Sequence, residues 1–338
     1  MVEQPDPDAP RGVVMVIGGA EDKLGKRTIL NRFARLAGGP AGTIAVISTA
    51  SSLGDTTTNV YRQLFENIGV ATVRGLRPET RAEADDPACA ALLDDATGVF
   101  MTGGNQAKLS SVVAGTRLGD AIHRAYEAGA VVGGTSAGAS VVATHMVASG
   151  AEGATPKERM VQLAAGLGLV DGIIVDQHFS QRNRYGRLLA LVAHSPQLLG
   201  LGIDEDTAIV VTEGRYVEVL GKGAVTVFDG LHMQTSAYAA KRTQPLLVSD
   251  VVLHSLPNGA RFDLRSRSLV PEERQEDDPE VVIGKRLNRL LARRIAAEGA
   301  YDTVVERAAR RASKRKARSA APDATKESTV TPIDRGRE

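Results

Sequence analysis

Short runs of β-branched and other apolar residues alternate, along the first half of the chain, with longer segments whose apolar positions recur every three or four residues. GVVMVIGG (12–19), TIAVISTA (43–50), GVFMTGG (98–104), AVVGGTS (130–136) and GIIVDQH (172–178) read as buried strands. Between the earlier runs, TILNRFARLAG (28–38), TTTNVYRQLFENIG (56–69) and RLGDAIHRAYEAGA (117–130) carry the period of amphipathic helices. The alternation predicts an α/β fold with a mostly parallel sheet and helices on both of its faces. Farther on, TAIVVTEGRYVEVLGKGAVTVFDG (207–230) breaks into strand runs at Glu-Gly, Gly-Lys-Gly and Asp-Gly. This predicts a strand-rich C-terminal part with antiparallel hairpins at one side.

The pattern changes near residue 272. PEERQEDDPE is acidic, and the next segment puts Ile283, Leu287, Leu291 and Ile295 on one helical stripe. Beyond Tyr301 apolar anchors thin out, and Arg307, Arg310, Arg311, Lys314, Arg315, Lys316 and Arg318 form a basic cluster. The expected organisation is a flexible N-terminus (1–10), a catalytic α/β domain (11–272) and a charged extension (273–338), partly helical and then disordered. The basic cluster reads as a solvated tail in preference to a nucleic-acid contact.

Composition narrows the function classes. With 338 residues the chain can bury a core without staples, and 41 Lys+Arg against 40 Asp+Glu argue against a polyanion binder. A single cysteine, Cys89, permits no intramolecular disulfide and reads as a buried, inert thiol in a reducing compartment. No apolar run reaches membrane-spanning length and the acidic, proline-rich start is no signal peptide, so a cytoplasmic protein without a membrane partner is expected. The absence of a His-Glu-X-X-His pattern and of clustered histidines leaves a metal or other cofactor unexpected.

Candidate chemistry begins at GTSAG (134–138). A serine between small residues, at the end of a buried strand and the start of a helix, fits the sharp turn that exposes a nucleophilic hydroxyl, with the Ala137 N–H beside it. Such a hydroxyl needs a base. His123, His145, His194, His232 and His254 are more simply surface or packing residues, whereas His178 closes the strand GIIVDQH, where open α/β sheets place ligands. A carboxylate orients such an imidazole best. GLGIDEDTAIVV offers Asp204, Glu205 and Asp206, and on chemistry alone the choice among them is open. The chain order serine, histidine, acid speaks against an α/β-hydrolase.

Five motifs in order, GGAEDK (18–23), TGGNQ (102–106), GTSAGAS (134–140), DQHFSQRNRYGRL (176–188) and GIDEDTA (202–208), resemble those of the cyanophycinases. These sit in a serine peptidase family that also contains the aspartyl dipeptidases, and the resemblance runs from about residue 11 to about residue 270. It implies a three-layer sandwich like that of class I glutamine amidotransferases, a homodimer, and a triad of Ser136, His178 and Glu205. It also implies Gly104 as the second oxyanion donor beside Ala137. Gln106, Asp176 and Gln177 fall at implied substrate-binding positions, Gln106 for a backbone amide of the substrate.

Arg182, Arg184 and Arg187 crowd beside the candidate base, with Arg184 and Arg187 on one helical face. Three guanidiniums there would lower the imidazole pKa and pair with carboxylates. Cyanophycin is a polyaspartate chain with arginine joined through each β-carboxyl, so each arginine presents a free α-carboxylate that these residues would hold. An α-aspartyl dipeptidase and a non-catalytic binding module on the same scaffold are the rival expectations.

Overall fold

The computed structural model describes residues 12–270. The expected flexible N-terminus, the charged extension from residue 273, the 283–295 stripe and the basic cluster lie outside the described residues.

The predicted strands and helices form close to the expected bounds. The strands are β1 (Val13–Ile17), β2 (Thr43–Ile47), β3 (Thr72–Leu76), β4 (Gly98–Met101) and β5 (Val131–Thr135). They interleave with helices α1 (Thr28–Leu36), α2 (Asp55–Ile68), the short α3 (Arg81–Ala84) and α4 (Pro87–Ala91), α5 (Gln106–Val113) and α6 (Arg117–Glu127); of these elements β3, α3, α4 and α5 lie outside the predicted runs. Asn105 caps α5 by accepting the Lys108 N–H at 3.0 Å, and Asn105 N–H is itself anchored on the Ala50 carbonyl at 2.8 Å. The turn TGGNQ is thereby tied to the end of β2. Cys89 sits half-buried on α4, where burial first, and then the charges of Asp86 and Glu83, push its thiol pKa up.

After β5 come α7 (Ala137–Ser140), β6 (Ala143–Gly150), β7 (Val161–Ala165), β8 (Val170–Gln177), α8 (Tyr185–His194), β9 (Leu199–Ile203), β10 (Thr207–Thr212), β11 (Tyr216–Gly221) and β12 (Ala224–Asp229). Five short strands follow: β13 (Gln234–Thr235), β14 (Val248–Ser249), β15 (Val252–Pro257), β16 (Arg261–Asp263) and β17 (Ser268–Leu269). They assemble into a nine-stranded sheet ordered β17-β16-β11-β10-β1-β5-β4-β2-β3 and a six-stranded sheet ordered β15-β12-β9-β8-β6-β7, with β13 and β14 paired separately. In the first sheet every pair from β1 to β3 is parallel and every pair from β1 to β17 antiparallel. In the second sheet β8 runs parallel to both β6 and β9, within antiparallel flanks.

The second sheet is where the structure departs from expectation. GIIVDQH does not extend the first sheet, and 207–230 does not stay on one side. Its first two strands form a hairpin in the nine-stranded sheet, and then the chain crosses at Gly221-Lys222-Gly223 to place β12 between β9 and β15. Glycine-rich turn signals mark where a strand ends, not which neighbour it pairs with. The crossing is held by Thr207 Oγ1, which accepts the Gly223 N–H at 2.9 Å, and by Asp204 Oδ2, which accepts the Ala224 N–H at 3.2 Å.

β1 is buried at all five positions, and its alternation feeds two cores. Val13, Met15 and Ile17 face α1 and α2, while Val14 and Val16 face the core shared by α5, α6 and the second sheet. In a chain with few aromatics, four gather on the first face: Phe33, Tyr61, Phe65 and Phe100, with ring centroids 4.9–5.6 Å apart. Phe100 contacts the other three. Phe100→Ala should lower the unfolding free energy by about 3–5 kcal/mol, read from urea denaturation; a loss under 1 kcal/mol would mean that this cluster does not anchor the helical layer.

Candidate active site

Ser136, His178 and Glu205 come from three places in the chain and meet where the two sheets come together. β1 and β5 of the first sheet and β8 and β9 of the second all end there. Ser136 follows the last residue of β5 with φ 53° and ψ −108°, its neighbours Gly134 and Gly138 lying tight against the Met101 carbonyl. Its own N–H donates to the Ile17 carbonyl at 3.0 Å. His178 follows β8 with φ 47°, and its N–H donates to the Gly18 carbonyl at 2.8 Å. Glu205 sits in the three-residue link that carries the chain from β9 to β10, from one sheet to the other.

The side chains form a line. His178 Nε2 lies 3.0 Å from Ser136 Oγ, and His178 Nδ1 lies 2.6 Å from Glu205 Oε1. With Nδ1–H donating to the carboxylate, Nε2 is free to accept the serine proton. Of the three acids that chemistry left open, only Glu205 meets the imidazole. Asp204 accepts the N–H and the hydroxyl of Ser180 at 3.0 and 2.6 Å, and Asp206 pairs with Lys222 at 2.7 Å. Glu205 is steadied from behind, its N–H donating to Gln181 Oε1 at 3.0 Å. Burial pushes the His178 pKa below its ordinary value; the Glu205 bond opposes this, and the positive charge of Arg182 adds to it. The expected direction is thus met, with desolvation and not the arginines as the main cause.

The segment GGAEDK contacts His178 and the chain neighbours of the other two, Thr135 beside Ser136 and Asp206 beside Glu205. Gly19, at φ 101°, lies flat against the imidazole: a Cβ there would come within 2.3 Å of His178 Cε1. Its carbonyl accepts the Asp206 N–H at 2.9 Å, and the Asp22 N–H donates to Asp206 Oδ1 at 2.8 Å. Asp22 then folds the next residues around its own carboxylate, accepting the N–H groups of Leu24, Gly25 and Arg27, and these bonds lower its pKa to about 2. Glu21 turns inward to the elbow. Glu21, Asp22 and Gln181 carried no expected role, and Asp204 only that of one of three candidate acids; an acid two residues after a glycine pair at the end of a buried strand was the available signal for Glu21.

The remaining predicted residues separate by environment. Gly103 faces the Ser136 side chain, with a virtual Cβ 3.3 Å from Ser136 Cβ, and Gly104, at φ 139°, turns against the Ala50 carbonyl. Ala137 opens α7 next to Ser136. The amide nitrogen of Gln106 donates to the carbonyls of Val147 and Ala148 at 3.0 and 2.9 Å, leaving its oxygen as the acceptor. Asp176 is fully buried and receives Arg187 through Nε and Nη2 at 2.6 and 2.5 Å and Arg184 Nη1 at 3.2 Å. Arg184 Nη1 also donates to the backbone and side-chain oxygens of Gln177, and Arg187 Nη1 to the Gly150 carbonyl. Arg184 Nε, buried, has no partner. Arg182 alone of the three is exposed.

The three arginines therefore differ in environment, with Arg182 exposed and Arg184 and Arg187 buried. Arg187 is spent on Asp176 because a dehydrated carboxylate needs a bidentate counter-ion. Arg184 shares that duty.

Peptidase family S51 matches this chain over residues 14–219, a stretch that contains Ser136, His178 and Glu205. The chain belongs to peptidase family S51. It is a serine-type peptidase. It is 39% identical over 258 residues to a cyanophycinase of Geminocystis herdmanii, covering 76% of this chain and 95% of that one. It is 40% identical over 272 residues to a cyanophycinase of Trichormus variabilis (80% and 91% covered) and 40% over 261 residues to one of Synechococcus elongatus (77% and 81%). Among solved structures, a peptidase from an acI-B1 Actinobacterium shares the fold, with a TM-score of 0.53 at 22% identity over 70% of this chain and 98% of that one. Among the described residues no helix is long and apolar enough to cross a membrane, and no group of three His, Cys, Asp or Glu is placed to hold a metal ion.

The burial of Arg187 changes what its removal should do. Arg187→Met strands the Asp176 charge and should cost about 3–5 kcal/mol of stability, whereas Arg182→Met should cost nearly nothing. Urea unfolding of both variants checks this; equal stability of the two would return Arg187 to the role of a free ligand group.

Proposed function

We propose that this S51 peptidase is a cyanophycinase that releases β-aspartyl-arginine dipeptides from cyanophycin through an acyl-enzyme. The reading is supported by identity of about 40% to proteins of that name over more than three quarters of the chain. The 3.0 Å and 2.6 Å contacts that join Ser136, His178 and Glu205 supply a suitable chemistry.

In this mechanism Ser136 Oγ attacks the scissile carbonyl as its proton passes to His178 Nε2. Glu205 holds the imidazole in the tautomer that can accept that proton and stabilises the imidazolium. The N–H groups of Ala137 and Gly104 receive the oxyanion, each such donor worth about 3–4 kcal/mol in the transition state. His178 then protonates the leaving amine, and water, deprotonated by the same base, hydrolyses the acyl-enzyme. The Gln106 oxygen accepts a substrate amide, while Arg182, the exposed arginine of the three, takes a substrate carboxylate. Asp176 and Gln177 act by aiming the arginines. A homodimer and a cytoplasmic location belong to the same reading.

Incubation with purified cyanophycin should yield soluble β-aspartyl-arginine by mass analysis. Intact polymer with rapid cleavage of α-aspartyl dipeptides would favour the aspartyl dipeptidase activity instead. Ser136→Ala should lower kcat about a millionfold.

The base must be neutral to act, so its lowered pKa places the acid limb of kcat/KM below pH 6.5, the ordinary imidazole value. Removing a positive neighbour makes protonation easier and removing a negative one makes it harder. Arg182→Met should therefore move the limb up and Glu205→Gln should move it down. A limb that ignores both substitutions would mean that another group is titrating.

A further inference from the structure

Glu21 is a buried carboxylate that the mechanism above does not use. Its side chain has no exposed surface, and it receives three donors: Tyr61 Oη at 2.5 Å and Lys23 Nζ at 2.8 Å on Oε1, and Thr135 Oγ1 at 2.5 Å on Oε2. Full desolvation of a carboxylate is tolerated only with such charge-assisted bonds around it. The price is visible on Tyr61, whose pKa is driven well above its ordinary value by burial first and by the Glu21 charge second.

The placement of these partners is specific. Thr135 is the last residue of β5, in register with Ile17 of β1, and its backbone leads directly into Ser136. Ser136 occupies a sparsely populated backbone region for a residue with a Cβ, one that persists only when its surroundings hold it there. On its C-terminal side it is held by α7, and its own N–H is held by Ile17. On its N-terminal side the side-chain restraint is the bond from Thr135 to Glu21. Tyr61 links that carboxylate to the aromatic core through Phe100, 4.9 Å away, so the restraint has a rigid footing. Lys23 balances the charge from the surface side, its ammonium also 5.3 Å from the Tyr61 ring.

We propose that Glu21 is a positioning residue for catalysis: through Thr135 it holds the Ser136 turn in the geometry from which Oγ can attack. The proposal rests on the reading of Ser136 as nucleophile. Glu21 does not touch substrate or His178, so its removal should slow the attack without altering recognition or the titration of the base. Glu21→Gln keeps the shape of the side chain but replaces one acceptor oxygen with an NH₂ group, which then faces hydroxyl or ammonium donors whichever way the amide is turned. Thr135→Val removes the other end of the bond while keeping the branched shape, and Thr135→Ser keeps the hydroxyl.

The test uses diisopropyl fluorophosphate, which needs none of the peptide subsites: an O–P bond forms at serine Oγ, the P–F bond breaks, and the serine proton goes to the base. Rates of phosphorylation are measured for the full chain at a temperature where each variant is folded, beside kcat and KM on a soluble β-aspartyl-arginine oligomer. Glu21→Gln and Thr135→Val should be phosphorylated about ten- to a hundredfold more slowly, the scale of a small misplacement of a reacting group. Their kcat should fall in parallel, KM should stay within about twofold, and the acid limb should not move; Thr135→Ser should recover most of the rate. Phosphorylation of folded Thr135→Val at the parent rate overturns the proposal, and this variant decides if Glu21→Gln does not fold. Ser136→Ala is the control: if it is still phosphorylated at the parent rate, the nucleophile reading itself fails. An unlabelled Ser136→Ala with an unimpaired Thr135→Val removes only the role of Glu21.

Discussion

Three side chains borne by two different sheets must meet within hydrogen-bond distance, and the segment from Gly18 to Lys23 is what makes their meeting reproducible. It leaves β1 between the sheets and bonds in turn to the backbone of His178, the backbone and carboxylate of Asp206, and, through Glu21, the end of β5. Ala20, Ser136, His178 and Asp206 all hold positive φ near this point. Each such non-glycine residue costs of the order of 1 kcal/mol and stays there only under restraint from its surroundings. The bonds of this one segment supply much of that restraint, and the flat face of Gly19 lets the imidazole sit against it.

Two buried carboxylates flank the line of Ser136, His178 and Glu205, and each is satisfied by its own donors. Asp176 draws in Arg184 and Arg187 beneath the end of β8, and Glu21 draws in Thr135, Tyr61 and Lys23 beneath the end of β5. Because both sets are nearly closed, their arginine and carboxylate groups are engaged with each other, and beside them Ser136 is partly exposed and Arg182 exposed. The low dielectric that makes the closed sets necessary also disfavours the charged imidazole of His178 and lowers its pKa.

The sequence by itself determined the buried strands at the centre of the first sheet and its longest helices, because burial leaves a pattern that can be read locally, as β1 and α2 show, whereas the partly exposed edge strand β3 left none. It also determined which residue types could act: a serine between glycines, a histidine closing a strand, acids in a turn. It did not determine that β8 and β12 belong to a second sheet, since a glycine turn between two strand runs looks the same whether the chain folds back or crosses over. Among Asp204, Glu205 and Asp206 the residues by themselves left the choice open and only the resemblance implied Glu205; in the fold it is Glu205 that reaches the imidazole, because neighbours in a turn point in different directions. Tertiary structure alone divided three similar arginines into one exposed and two buried. The deciding contact is Asp176, whose need for a counter-ion once it leaves water is a property of its place in the fold and not of its neighbours in the chain.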